Sequence, residues 1–112
     1  MDKLIERGLL FDFYGELLTK HQQEIYSEAV FNDLSLAELS EEEGISRQGI
    51  HDLIKRCDKQ LVAYEETLGL IEKFKRIKAE VVEIDKLLDN EKIPSDISTG
   101  VKERLQHIVE EL

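Results

Sequence analysis

The chain has 112 residues, a length that suits one domain or a small domain with a helical extension. Hydrophobic residues make up 41% of it, aromatic residues only 6%, and there is no Trp, so any core is mostly aliphatic. One Pro and six Gly leave few helix breakers, which predicts an all-α protein. The net charge of −10 argues against nucleic-acid binding by the surface as a whole.

The cellular compartment follows from two further features. A single cysteine, Cys57, excludes an internal disulfide and suits a reducing environment. Charges interrupt the N-terminal residues too often for a signal peptide, and no stretch reaches the ~18 apolar residues of a membrane span. We therefore expect a cytoplasmic protein.

Two helices are predicted before residue 34. The first covers residues 2–18, where apolar side chains repeat at helical spacing: Leu4, Ile5, Leu9, Phe13 and Leu17. The second covers residues 20–31 and begins at a capping box of Thr19 and Gln22. Asn32 and Asp33 predict a turn after it.

Residues 35–60, SLAELSEEEGISRQGIHDLIKRCDKQ, predict a helix-turn-helix. Ser35 and Glu38 form a second capping box, Gly44 can end the helix at positive φ, and Ser46 caps the next helix. The spacing in this next helix predicts one buried stripe made of Ile50, Leu53, Ile54, Cys57 and Leu61.

The opposite face of that helix is polar and predicts nucleic-acid contact. Within residues 46–60 the charge balance is four bases against two acids, the reverse of the chain as a whole. A recognition helix of this kind meets base edges through its first turns. The residues predicted to contact DNA are Arg47, Gln48, His51, Lys55 and Lys59.

A heptad-like seam follows, and it predicts a helical arm. Its members are Leu70, Phe74, Ile77, Val81, Ile84 and Leu88, spaced by four and three residues in turn. The arm either continues the recognition helix or is joined to it near Gly69. The seam packs on a second copy of the chain, giving a homodimer, or on the last helix. We favour the homodimer.

Residues 90–95, NEKIPS, predict a linker, with Ser95 as the cap of a last helix. In that helix Ile97, Val101, Leu105, Ile108 and Leu112 repeat in register. We divide the chain into a helix-turn-helix domain, residues 1–62, and a helical arm with the C-terminal helix, residues 63–112.

Two motifs carry a resemblance to known proteins. The segment SLAELSEEEGISRQGIHDLIKR resembles region 4 of bacterial sigma factors, and with FDFYGELLT at 11–19 the chain resembles the YlxM-like family. The resemblance covers roughly residues 3–70. It implies a helix-turn-helix protein that takes part in the signal recognition particle pathway. Two residues depart from the pattern: Gly49 stands where a larger residue is usual, and Asp52 adds a carboxylate to the reading face.

The sequence has no pattern typical of catalysis. His21, His51 and His107 are far apart, and with one Cys they give no zinc-binding spacing. No phosphate-binding Gly loop or Ser nucleophile motif occurs. We expect no enzyme activity, no cofactor and no metal.

Two hypotheses for function remain. The first is a helix-turn-helix DNA-binding regulatory protein of sigma region 4 type. The second is a protein- or RNA-binding accessory of the signal recognition particle that does not read DNA.

Overall fold

The computed structural model describes residues 2–112, and within that range it contains α-helices and no strand. The prediction of an all-α fold is confirmed. The helices are α1 (Lys3–Tyr14), α2 (Lys20–Val30), α3 (Leu36–Glu43), α4 (Arg47–Leu68), α5 (Leu70–Leu88) and α6 (Ser95–Glu110), with a short 3₁₀ turn at Gly15–Leu17. None of these helices has the length and apolar character needed to cross a membrane.

The helix starts that the sequence predicts are confirmed at α2 and α3. The Thr19 hydroxyl accepts from the Gln22 amide, while the Gln22 side chain accepts from the Thr19 amide. Ser35 and Glu38 form the same reciprocal pair at α3. Each box satisfies two amides that would otherwise lack a partner, so these helix starts are determined locally.

The turn between α3 and α4 also follows its local sequence. Gly44 ends α3 at φ +66, a left-handed conformation that other residues adopt at a steric cost. The Ser46 hydroxyl accepts from the Gly49 amide and caps α4. Ser40 takes part as well, because its hydroxyl donates to the Ile45 carbonyl across the turn. These bonds fix the entry of α4.

The first compact unit of the structure ends at Gly69 and has α4 as its central helix. Ile25, Leu39 and Ile50, from α2, α3 and α4, form a fully buried cluster. The predicted stripe of α4 is confirmed, since Ile50, Cys57 and Leu61 are completely buried and the two other members are partly buried.

The first helix ends at Tyr14 and not at residue 18 as predicted, and only Leu9 and Phe13 of its predicted apolar repeat are partly buried. Leu4, Ile5 and Leu17 remain more than half exposed. The buried residues of this segment are Leu10 and Tyr14 of α1, together with Gly15 and Leu18 after it. The segment is apolar on several sides, so its period alone could not show which side faces α2 and α4.

The second compact unit comprises residues 70–112 and consists of α5 and α6. α4 ends at Gly69, which has φ +62, so a break at this glycine is the alternative that the structure adopts. The division at residues 62 and 63 stays a prediction. α6 begins at Ser95 with Pro94 in the capping position, so the prediction of Ser95 as the cap is wrong.

Within the second unit α6 folds back on α5. The Ser98 hydroxyl donates to the Leu88 carbonyl at 3.1 Å, and Lys102 pairs with Asp89 at 2.5 Å. Five members of the predicted seam are partly buried: Phe74, Ile77, Val81, Ile84 and Leu88. The sixth, Leu70, is 45% exposed. The seam therefore has an intramolecular partner for part of its surface.

Candidate nucleic-acid interface

The first turn of α4 presents polar side chains to solvent. Arg47 is the first helical residue, and both it and Gln48 are exposed. This turn contains no acidic residue, whereas the first turns of α1 and α3 contain Glu6 and Glu38. The N-terminus of α4, with its helix dipole and its arginine, is therefore suited to an anionic partner.

Gly49 is explained by the turn that precedes α4. A Cβ at this position would lie 2.7 Å from Cγ2 of Ile45 and 3.1 Å from the Ser46 hydroxyl. Ile45 packs against the core cluster, so it has little freedom to move aside. The glycine lets the turn close tightly over the start of the helix.

Gln48 and Asp52 interact on the exposed face. The Gln48 side-chain amide donates to Oδ1 of Asp52 at 2.9 Å, one helical turn away. This hydrogen bond uses one of the two N–H groups of the Gln48 side-chain amide. The carbonyl oxygen of that amide takes no part in it. A base contact by Gln48 must therefore be made beside a carboxylate.

His51 is less accessible than its predicted role suggests. Its side chain is partly buried, and Nδ1 is fully buried with no hydrogen-bond partner among the residues that the structure describes. Only the other ring nitrogen, Nε2, is left to approach a ligand.

Lys55 and Lys59 are exposed and stand one turn apart on the same side of α4. Across residues 2–112 neither lysine, nor Arg47, forms an ion pair. Of the five predicted contact residues, His51, Lys55 and Lys59 line one cleft, while Arg47 and Gln48 lie outside it at the helix N-terminus.

Asp58 links α4 to two other helices, a role that the sequence does not predict. Its carboxylate accepts two hydrogen bonds from Arg7 of α1, at 3.1 and 2.6 Å, and one from the Tyr26 hydroxyl of α2, at 2.6 Å. The hydrogen bond to Asp58 raises the pKa of Arg7. Burial, followed by the bond to Asp58, raises the pKa of Tyr26 well above its usual value. These bonds fix α4 against the helices behind it.

Cys57 is completely buried, and this burial is the main cause that raises the pKa of its thiol to about 11. The thiol is therefore protonated at neutral pH and is not a nucleophile. Nor do residues 2–112 contain a group of three or more His, Cys, Asp or Glu side chains placed to hold a metal ion.

Comparison with known proteins identifies the family. A family model described as "Putative helix-turn-helix protein, YlxM / p13 like" (UPF0122) matches residues 1–104. The chain belongs to this family. The resemblance to YlxM-like proteins drawn from its two motifs is thereby confirmed.

Two bacterial members of the family match along nearly the whole chain. A UPF0122 protein of Acetivibrio thermocellus is 46% identical over 116 residues, covering 98% of this chain and 99% of its own length. One from Clostridium perfringens is 42% identical over 113 residues, covering 97% and 98%. No solved structure matches the chain. The family is described by its helix-turn-helix, not by an enzymatic reaction.

Proposed function

We propose that this protein is a helix-turn-helix DNA-binding regulatory protein acting in the cytoplasm, without enzymatic activity or a cofactor. The observation that carries the proposal is the free, basic face of α4 in an otherwise acidic chain. Arg47, Lys55 and Lys59 are exposed, and within the described residues no carboxylate is paired with them. Cations left without a partner on a helix held rigidly from behind are what a phosphate backbone requires.

In this proposal the contact residues have two kinds of role. Arg47, Lys55 and Lys59 contact phosphates, while Gln48 and His51 approach base edges. The carbonyl oxygen of Gln48 and Nε2 of His51 are the groups left for bases. Sequence preference should therefore come from few atoms and be modest.

A second candidate is an accessory of the signal recognition particle that binds protein or RNA without reading DNA. The Gln48–Asp52 hydrogen bond favours it, because a carboxylate on the reading face repels phosphate and occupies the amide. The net charge of −10 favours it as well.

Selection of bound DNA fragments at ~150 mM salt separates the two candidates. If α4 reads DNA, an enriched sequence should emerge and should be lost when Gln48 and His51 are replaced with Ala, at a cost of roughly 1–3 kcal/mol for each good base contact. Replacing Lys55 and Lys59 with Gln should instead weaken binding to all sequences alike and flatten the salt dependence. Failure to enrich any sequence at any salt concentration, with folding intact, would falsify direct readout and favour the accessory role.

We also propose a homodimer formed by the second unit, residues 70–112. Ile71 is the single buried residue in this unit, which is little core for two helices. α5 and α6 leave an open groove of about 420 Å³. Five apolar side chains line it, Ile77, Val81, Ile84, Leu105 and Ile108, together with the charged residues Lys73, Arg76 and Glu80. A second copy covering this groove would bury the remaining exposed surface of the seam residues Ile77, Val81 and Ile84.

The dimer is tested by one substitution on the groove and one off it. Ile108 is 54% exposed, so Ile108→Glu should leave the α5–α6 packing intact and yet place a charge in the dimer interface. Light scattering at tens of micromolar should show a dimer for the unaltered protein and a monomer for this variant. The control, Leu87→Glu, changes a residue that is 72% exposed and does not line the groove, and should remain dimeric. A monomeric unaltered protein would refute the proposal.

A further inference from the structure

A basic cleft lies between α1 and α4 and extends the charged surface beyond the predicted contact residues. It has a volume of about 730 Å³ and is lined by five cations: Lys3 and Arg7 of α1, and Lys55, Arg56 and Lys59 of α4. Leu36, the first residue of α3, contributes to the wall. We call this feature the basic cleft. Lys3, Arg7 and Arg56 are not among the contact residues predicted from the sequence.

The basic cleft concentrates positive charge in an acidic protein. Two carboxylates, Asp52 and Asp58, also line it, so the lining carries a net charge of +3. Since the whole chain has a net charge of −10, the remainder carries −13. Positive charge gathered in one concave site focuses the electrostatic field there and attracts anions to it.

Only one of the five cations of the basic cleft forms an ion pair within the described residues, so the other four are available to a ligand. Arg7 pairs with Asp58, so the Asp58 carboxylate does not compete with a ligand for the other cations. Lys3, Lys55, Arg56 and Lys59 are exposed, and along the described part of the chain none of them forms an ion pair. Lys3 is moreover the first residue of α1, where the helix dipole disfavours a cation. No ion pair within the described residues stabilises these neighbouring like charges. Their arrangement therefore indicates an anionic ligand.

We infer that the basic cleft binds consecutive phosphodiester groups of a DNA strand, with Lys3 and Arg56 as phosphate contacts in addition to Lys55 and Lys59. This inference rests on the proposed DNA-binding function and extends its interface to α1. The cations come from two helices, and the cleft that they line is continuous with the exposed side of α4. A DNA backbone that passes the exposed polar face of α4 can therefore continue into the cleft. The contacts are to phosphate and carry no sequence information, so they should add affinity and orientation alone.

The test measures binding of a fluorescent mixed-sequence duplex of about two helical turns across a range of salt concentrations. The variant Lys3→Gln/Arg56→Gln should flatten the slope of log K against log salt by roughly 0.9 for each phosphate that the variant no longer neutralises, and should do so for any sequence. The matched control is Lys75→Gln/Arg104→Gln, which removes the same two charge types from exposed positions in α5 and α6 and should retain the parent slope. Thermal melts should coincide for all three proteins, because no altered side chain is buried.

The outcomes separate this inference from the proposed function. An unchanged slope in Lys3→Gln/Arg56→Gln, with normal binding by the parent, overturns the inference and leaves DNA binding by α4 standing. An equal flattening in the control overturns it too, because the effect is then one of net charge. Lack of duplex binding by the parent refutes the proposed function and the phosphodiester assignment together. Inorganic tripolyphosphate is the second probe, and tight binding of it that Lys3→Gln/Arg56→Gln abolishes, in the absence of duplex binding, would assign the cleft to a free anion instead.

Discussion

Replacing Ile50 with Asp is expected to unfold the first unit of the protein. The Ile50 side chain is completely buried against Ile25 and Leu39, so the new carboxylate would have neither water nor a partner. Burying an unpaired charge costs about 4 kcal/mol or more, and a unit of this size has a total stability on the order of 3–10 kcal/mol. Circular dichroism should show loss of cooperative melting for the helices of residues 2–69.

The control for this prediction lies on the same helix. Val62 is 41% exposed, so Val62→Asp introduces the same charge into α4 without burying it and should shift the midpoint of urea unfolding only slightly. A cooperative melt for Ile50→Asp that matches that of Val62→Asp would show that the buried face of α4 is assigned wrongly.

Asp58→Ala is expected to destabilise the first unit by about 3 kcal/mol. The substitution removes the acceptor of three hydrogen bonds, and hydrogen bonds to a charged group contribute roughly 1.5–3 kcal/mol each before losses to partial exposure. Tyr26 is completely buried, so its hydroxyl would be left with no acceptor. The change in free energy of unfolding should be measured by urea denaturation.

Two further variants show whether the loss of stability comes from these bonds. Asp52→Ala removes an exposed carboxylate from the same helix and should cost well under 1 kcal/mol. Tyr26→Phe should cost much less in the Asp58→Ala background than in the parent, because the two substitutions remove the same hydrogen bond. Additive effects of Tyr26→Phe and Asp58→Ala would contradict the proposed link between α2 and α4.

The sequence predicts the parts of this fold that short-range chemistry determines. Ser35 with Glu38, and Thr19 with Gln22, act within one helical turn, so their capping boxes can be read without knowledge of the tertiary structure. The role of Gly44 is also determined by local sequence, since its positive φ is a property of the turn. The buried stripe of α4 is predicted correctly because its apolar residues occupy one face and polar residues the other.

The features that the sequence does not predict depend on partners distant in the chain. Arg7 and Asp58 are separated by 51 positions, and no periodic pattern connects them. α1 is apolar around much of its circumference, so the choice of Leu10 and Tyr14 over Leu4 and Ile5 is made by the helices packed against it. The basic cleft is not predicted for the same reason, because Lys3 and Arg56 line one cleft only after α1 has docked on α4.

The position of Cys57 allows opening of the first unit to be measured with a thiol reagent. It is the only cysteine of the chain, and it is completely buried in the interior of that unit, while the second unit has none. A thiol reagent can react with it only when the first unit opens, since the reaction requires both access and a thiolate. The rate of labelling under native conditions therefore reports the opening equilibrium of the first unit.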